Sequence, residues 1–442
     1  MGDVARPEAG RQALVFGQRT VVYDQHVGAG GGRLGRDRLE RHGQVLGALA
    51  GGHGDRDGGR HGPASLGLPA VILFLHNRYR TTGGEERAVE DLRWLVAEHL
   101  GQEVKLLERD SARLGRARAA AGLLSGGLAP ADVAGAVRLT GAKVVHAHNL
   151  NPTLGWRALA AARDAGARVV LHLHNYRLIC AVGTCFTRGA DCTRCHARNT
   201  LPGVRLNCRG TGAEAAVYGA SLSLWQRRMV SLADAVIVPS RFARQRLTDL
   251  GAPLPADRVY VVPHPVRSLA VRSRADRGVH ALVSGRLAPE KGVDVAIEAC
   301  QSIGLPLVVA GDGPLRSELE RRGADADVRF AGSLDPTALA EVRGQAALAL
   351  VPSRSAETFG LSAAEAMADG VPVVASRIGA LPELVDPDGL VAPGDPAALA
   401  EAARRRWRSV SHGEAGIAAA RAVVAPEVVA PALGAVYEAV GA

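Results

Sequence analysis

Residues 351–376, VPSRSAETFGLSAAEAMADGVPVVAS, decide how the rest of the chain is read. ALALVPS closes a buried strand, SAETFG is a loop, LSAAEAMAD a helix and VPVVAS the next strand. Glu357 stands in the loop and Glu365 on the helix, with seven residues between them. Gly360 opens the helix, whose first amides have no intrahelical acceptor and can face an anion. A carboxylate on each side of such a cradle suits a nucleotide sugar. One acid can bind sugar hydroxyls, the helix end a diphosphate, and the other acid a ribose diol.

Working outward, strands and helices alternate on both sides of this stretch. PAVILFLHN (69–77) is a continuous apolar run of the kind found in parallel sheets. A helix follows from about 85 to 100, with apolar residues at 88, 89, 92, 95, 96 and 100. QEVKLLER, AKVVHAHN (142–149), ARVVLHLHN (167–175), ADAVIVPS and DRVYVVPHPV supply further strands, and the Ala- and Arg-rich stretch 111–140 is helical. A second alternation begins at VHALVSGRL (279–287) and continues through PLVVAGDG, DVRFAGS, LALVPS and VPVVAS. This pattern predicts an α/β chain of two doubly wound, Rossmann-like domains, 70–265 and 279–429.

Ligands of open α/β sheets bind beyond the carboxyl ends of the strands. Gly83 and Gly84 follow the first strand, where glycines let backbone approach a phosphate or sugar. His174 and Asn175 end another strand, and Ser240 and Arg241 follow VIVPS. Arg286 and Lys291, in SGRLAPEKG (284–292), are the strongest cationic candidates. A fixed guanidinium and ammonium stabilise the negative charge that develops on a departing diphosphate. The plainer readings are a turn at the glycine pair, a satisfied strand-end histidine, and a surface ion pair capping the helix after 292.

Glu-x7-Glu followed by GVPVVAS, with SGRLAPEKG upstream, resembles the retaining glycosyltransferases of family 4, over roughly residues 70–442. The resemblance implies the GT-B fold, two Rossmann-like domains facing a cleft. It also implies transfer of a sugar from a nucleotide diphosphate, with retention at the anomeric carbon and no catalytic metal. It picks out Glu357, Arg286, Lys291 and His174 as catalytic positions. Gly83, Gly84, Gly285, Gly311, Phe359, Gly360, Leu361 and Glu365 are the donor-binding ones. By the same resemblance the first domain takes the acceptor, the second takes the nucleotide sugar, and residues 430–442 form a helix crossing back to the first domain. The acceptor is expected to be a glycan, a lipid-linked molecule or a small molecule. His264 departs from the family, in PHPV where many relatives carry Asn-Gly.

Five cysteines, Cys180, Cys185, Cys192, Cys195 and Cys208, crowd into an insertion at 180–208. Cys180, Cys192, Cys195 and Cys208 have a spacing that suits four thiolates on a structural zinc, with reduced thiols as the alternative. CTRCH (192–196) also matches a haem attachment pattern, which would require export.

The chain carries 53 basic and 44 acidic residues, a formal +9, and only three of the basic residues are lysine. Arginine and glycine abundance reads as compositional bias, with attraction to anionic membrane a local matter. A zinc-stabilised nucleic-acid-binding protein is a further reading, but aromatic residues make up only 4% and no recognition-helix pattern is present. An epimerase or phosphorylase of the same fold is another, disfavoured by the two glutamates after GRLAPEKG. No run approaches the ~20 apolar residues of a membrane span, and the N-terminus has no apolar signal core. The expected location is cytoplasmic, either free or touching the inner face of the membrane. Residues 1–69 are rich in Gly, Arg, His and Asp and read as a disordered leader, with 14–24 as a hairpin lacking anything to pack on.

Overall fold

The computed structural model describes residues 13–16, 20–24, 71–79 and 83–441. Its first sheet begins with β1 (Ala13–Phe16), β2 (Thr20–Asp24), β3 (Val71–Arg78) and β4 (Glu103–Asp110). It continues with β5 (Val144–Ala147), β6 (Arg168–His172), a two-residue hairpin β7–β8 (186–187 and 190–191) lying outside it, β9 (Ala235–Val238) and β10 (Val259–Val261). The order across the sheet is β1-β2-β4-β3-β5-β6-β9-β10. From β4 to β10 all pairings are parallel. β1 and β2 form an antiparallel hairpin, and β2 adds antiparallel to β4. The hairpin therefore has a sheet edge to pair with, contrary to the expectation for 14–24. The rest of the leader lies outside the described residues.

The alternation of β3 shows why both faces are buried. Leu73 and Leu75 pack under helices α3 (Pro130–Thr140) and α4 (Gly155–Asp164), which follow α1 (Gly84–His99) and α2 (Arg116–Ser125) in the chain. Ile72 and Phe74 face the opposite way, against Leu92, Leu95 and Val96 of α1. The stretch 111–140, read as one helical segment, is interrupted after α2 by Gly126 and Gly127. Both have positive φ and are pressed against Trp156 and the Leu154 carbonyl.

Further along come α5 (Leu201–Arg205), α6 (Gly212–Ser231) and α7 (Arg241–Asp249). The second sheet is wholly parallel, in the order β13-β12-β11-β14-β15-β16. Its strands are β11 (His280–Ser284), β12 (Leu307–Ala310), β13 (Val328–Gly332), β14 (Ala346–Val351), β15 (Val373–Ser376) and β16 (Leu390–Val391). Helices α8 (Val293–Ile303), α9 (Arg316–Arg322), α10 (Pro336–Gly344), α11 (Leu361–Ala368) and α12 (Pro396–Arg406) connect them. Ala281, Val283, Leu348 and Leu350 meet α8 and α12 on one face. Leu282, Ala349 and Val351 meet α11 on the other.

The chain ends in α13 (Val410–Val424) and α14 (Pro426–Ala439). Val424 belongs to the core of the second sheet, whereas Val429, Leu433 and Tyr437 belong to that of the first. The return to the first unit thus falls at Pro426, a little before residue 430. Proline suits this position because the first helical residue needs no N–H acceptor. An 18-residue stretch within Val410–Ala439 has a mean hydropathy of 1.5, so this helical segment is long and apolar enough to span a membrane by length and composition. Here its apolar side chains line the two cores.

Candidate active site

The loop 352–360 sits at the carboxyl end of β14 and is held from both sides. Within its own unit, the Arg354 amide donates to the Glu290 carbonyl at 2.8 Å. The Arg354 guanidinium grips Asp294 with two bonds of 2.8 and 2.9 Å. From the first unit, Tyr176 donates its hydroxyl to the Ala356 carbonyl at 3.0 Å and Ser240 to the Thr358 carbonyl at 2.7 Å. The Thr358 hydroxyl in turn donates to the His174 carbonyl at 2.7 Å. The loop is therefore one of the contacts between the two units.

Glu357 projects from this loop onto Lys291. The ammonium is 2.6 Å from Oε1, and the Ser353 hydroxyl donates to the same oxygen at 2.7 Å. Burial pushes the Glu357 carboxyl upward. The Lys291 charge and hydrogen bond, the Ser353 hydroxyl and the Arg286 charge together outweigh that, and its pKa lies below the ordinary carboxylate value. Glu357 is thus an ionised acceptor. Arg286 is bound by Glu290 but keeps 43% of its side chain exposed, so it can meet an incoming anion.

Gly360, with φ of 101°, turns the chain into α11, and a Cβ there would lie 2.7 Å from Leu381 Cδ2. Phe359 is buried beside it, and Leu361 is the first helical residue. Gly285 and Gly311 end neighbouring strands β11 and β12. A Cβ on Gly311 would stand 1.9 Å from the Gly285 carbonyl oxygen, so the two backbones touch only because position 311 is glycine.

Glu365 lies one turn into α11, buried, with Arg343 at 2.9 Å from one oxygen and Arg87 of the first unit at 4.0 Å from the other. Burial holds its carboxyl above the usual range despite both cations. The structure therefore ties Glu365 to arginines, and a ribose diol would have to share it with them. Arg343, also paired with Asp369, carried no sequence signal, since it sits in α10 without any motif.

In the first unit, Gly83 caps α1, and its amide donates to the Glu86 carboxylate at 2.8 Å. A Cβ at Gly84 would meet nothing within 4 Å, so space is open above this loop. Beside it lies a group that sequence reasoning missed. Glu85 accepts 2.7 Å hydrogen bonds from the Tyr79 hydroxyl and the Asn175 amide, and Arg177 stacks 4.5 Å over the Tyr79 ring. Burial raises Glu85 to about 7, against hydrogen bonds and the Arg177 charge that oppose it. Glu85, His174, Asn175, Arg177 and Trp225 line one cavity. Acidic first-turn residues are common on helices, which is why the sequence did not single out Glu85.

His174 is buried among other histidines, where burial drives its pKa well below the ordinary value. Ser240 caps α7 by accepting the Ala243 amide, and Arg241 lies against Glu383 across the cleft. Cys180, Cys185, Cys192, Cys195 and Cys208 line one pocket in the insertion. The neighbouring Cys185 thiol holds Cys180 down at about 6 and is itself pushed up by Cys180 and by burial. Among the described residues, the triads whose ligand atoms all lie within 4.8 Å of one another are histidines, not cysteines. The set Cys180, Cys192, Cys195 and Cys208 is thus brought to one pocket without being drawn into a tetrahedron.

Two parallel-sheet units facing each other across this loop are the GT-B fold. The family model described as "Glycosyl transferase 4-like domain" matches residues 61–265, and that of "Glycosyl transferases group 1" matches residues 278–409. The chain belongs to the family 4, group 1 glycosyltransferases. It is 37% identical over 187 residues to a Mycobacterium tuberculosis GDP-mannose-dependent alpha-(1-6)-phosphatidylinositol dimannoside mannosyltransferase, covering 39% of this chain and 48% of that protein. It is 34% identical over 284 residues to D-inositol 3-phosphate glycosyltransferase of Acidothermus cellulolyticus, covering 55% of this chain and 61% of that one. The chain thus spans about half the length of the curated relatives it matches. Among solved structures, sucrose-phosphate synthase from Thermosynechococcus elongatus superposes with a TM-score of 0.61 at 19% identity, over 83% of this chain and 98% of that one. Anabaena HepE, in complex with UDP and glucose, superposes with 0.57 at 18% identity, over 84% and 99%.

Proposed function

We propose that this protein moves a sugar from a nucleotide-diphosphate donor to a glycan, lipid-linked or small-molecule acceptor, with retention of anomeric configuration. The observation that carries the reading is Glu357, ionised and set against Lys291 beside the amino end of α11, with Arg286, paired with Glu290 but partly exposed, able to meet an anion. In this reading the second unit holds the donor and the first the acceptor, whose place is the cavity beside Gly83, Gly84 and Glu85. HepE, with its bound UDP, and the GDP-mannose-dependent relative support a nucleotide-sugar donor.

Each residue then has a separable task. Glu357 accepts hydrogen bonds from sugar hydroxyls and holds the ring in place. Arg286, Lys291 and the first-turn amides of α11 neutralise the diphosphate as the glycosidic bond breaks. Since these groups are fixed before the donor arrives, they stabilise the developing charge without having to reorganise. The leaving diphosphate and the acceptor oxygen share one face of the sugar, so the new bond retains configuration. Glu357, ion-paired with Lys291, is held to orienting and not to covalent attack. No metal is assigned to this chemistry.

The test is transfer assayed with UDP-, GDP-, ADP- and TDP-sugars, with the anomeric configuration of the product read by NMR. The expected outcome for Glu357→Ala is a loss of at least ~100-fold in transfer, in line with removing a group that acts in the transition state, with an unchanged thermal midpoint. Near wild-type transfer by Glu357→Ala, or an inverted product, would overturn the reading.

A further inference from the structure

Beneath the donor loop, one face of the first sheet carries histidines where aliphatic residues would be expected. His146 and His148 alternate along and just beyond β5, and His172 and His174 do so along β6. His264, on the segment after β10, stacks on His174 with ring centroids 5.1 Å apart. His172 and His174 stack at 4.1 Å. His172, His174 and His264 are 1%, 7% and 5% exposed. One ring nitrogen from each lies within 4.8 Å of those of the other two.

The hydrogen bonds separate these rings into two shells. His172 uses Nδ1 on His146 Nε2 at 3.3 Å, and His146 uses its other nitrogen on the Tyr437 hydroxyl at 2.8 Å. His174 uses Nε2 on His148 Nδ1 at 2.8 Å. What remains without a partner is one buried nitrogen on each inner ring, His172 Nε2, His174 Nδ1 and His264 Nδ1, and one on His148 behind them, Nε2. An unsatisfied buried polar atom is costly, and three in one place call for a common partner. The alternative triad of His146, His148 and His172 is less suited, since both nitrogens of His146 are already engaged.

We propose that His172, His174 and His264 form a binding site for a first-row divalent metal ion of the zinc type. Neutral imidazoles are the ligands such ions take, and burial keeps these rings neutral, His264 down at about 4. His146 with Tyr437, and His148, occupy the outer shell that fixes tautomer and ring orientation in known sites. A tetrahedral ion with Zn–N of about 2.0–2.1 Å draws its ligand nitrogens closer than 4.8 Å, and rings stacked within 24° of parallel must also rotate for their in-plane lone pairs to converge, so the stack opens and tightens when the ion binds. The fourth position is left to water or another ligand. His264 also packs edge-on to Phe359 at 5.1 Å, two residues from Glu357. The ion therefore ties strand β6 to the inter-domain segment directly under the donor loop. This site is separate from the cysteine pocket and does not rest on the glycosyl-transfer reading.

The test uses the full chain, stripped with a chelator and titrated with Co2+ and Zn2+. The expected result is one equivalent of Co2+ with the visible bands of a tetrahedral nitrogen-rich site and no thiolate charge-transfer band. Zn2+ should raise the thermal midpoint. Binding should weaken at least ~10-fold in His172→Gln and His264→Gln, each checked for native circular dichroism, and about 10-fold in the outer-shell Tyr437→Phe. Cys192→Ser/Cys195→Ser should bind as the wild type does. The proposal is overturned if no metal binds, if bound Co2+ shows thiolate charge transfer that the cysteine change removes, or if folded His264→Gln binds undiminished.

Discussion

Glu357 and Glu85 are two carboxylates whose surroundings push them in opposite directions. Glu357 stays ionised because Lys291, Ser353 and Arg286 outweigh its burial. Glu85 has only neutral hydrogen-bond donors at contact distance and sits near 7. A folded-state pKa above the unfolded one means that Glu85 costs no stability below the unfolded value. The cost then grows as pH rises through the window from about 4.5 to about 7. Glu85→Gln should therefore gain stability over the wild type at pH 8 compared with pH 5, by roughly 2–3 kcal/mol. Chemical denaturation at the two pH values reads this directly, and an equal difference at both would show that Glu85 is not held protonated. At this scale the sequence displayed Glu357, Arg286 and Lys291, because a motif carries them at fixed spacing. Glu85, Arg343 and the outer-shell histidines were hidden, because no motif ties them to their partners: Asn175, 90 residues on, for Glu85, and Tyr437, 291 residues on, for His146.

Elements were legible wherever periodicity or a cap marks them. Strand β3 is an unbroken apolar run, and α11 is announced by the Phe-Gly step before it. What periodicity could not show is how closely strand ends approach one another. Gly311 is the clearest case, since its φ of 149° and its contact with the Gly285 carbonyl both demand glycine. Gly311→Ala should destabilise the second unit by about 2–4 kcal/mol, from strain plus a backbone clash. A lowered thermal midpoint with weakened nucleotide binding would fit, and wild-type stability would contradict the close approach. The cysteine insertion was legible as a cluster, but spacing alone could not say which sulfurs meet. Cys180 and Cys185, neither separable from the rest by spacing, shift each other in opposite directions, Cys180 down and Cys185 up.

At the scale of the molecule, two units are joined by the Thr358 loop on one side and by α14 on the other. Alternation of strands and helices revealed two units, and resemblance suggested the returning helix. The point of return depended on Pro426, and the hairpin of β1 and β2 on a free edge of β4, neither of which local pattern displays. Leu433 of α14 is fully buried against the first sheet. Leu433→Ala should cost about 2–5 kcal/mol, seen as a lower denaturation midpoint. A change under ~1 kcal/mol would show that α14 is not part of that core. The central claim is that the cleft holds a nucleotide diphosphate through Arg286, Lys291 and the amino end of α11. Calorimetric titration of the full chain with UDP, GDP, ADP and TDP tests it most directly. One nucleotide should bind, and Arg286→Ala, folded as the wild type is, should weaken it at least ~10-fold, the loss of one charge-assisted contact. Binding of none of the four, or binding unchanged by Arg286→Ala, would contradict the account.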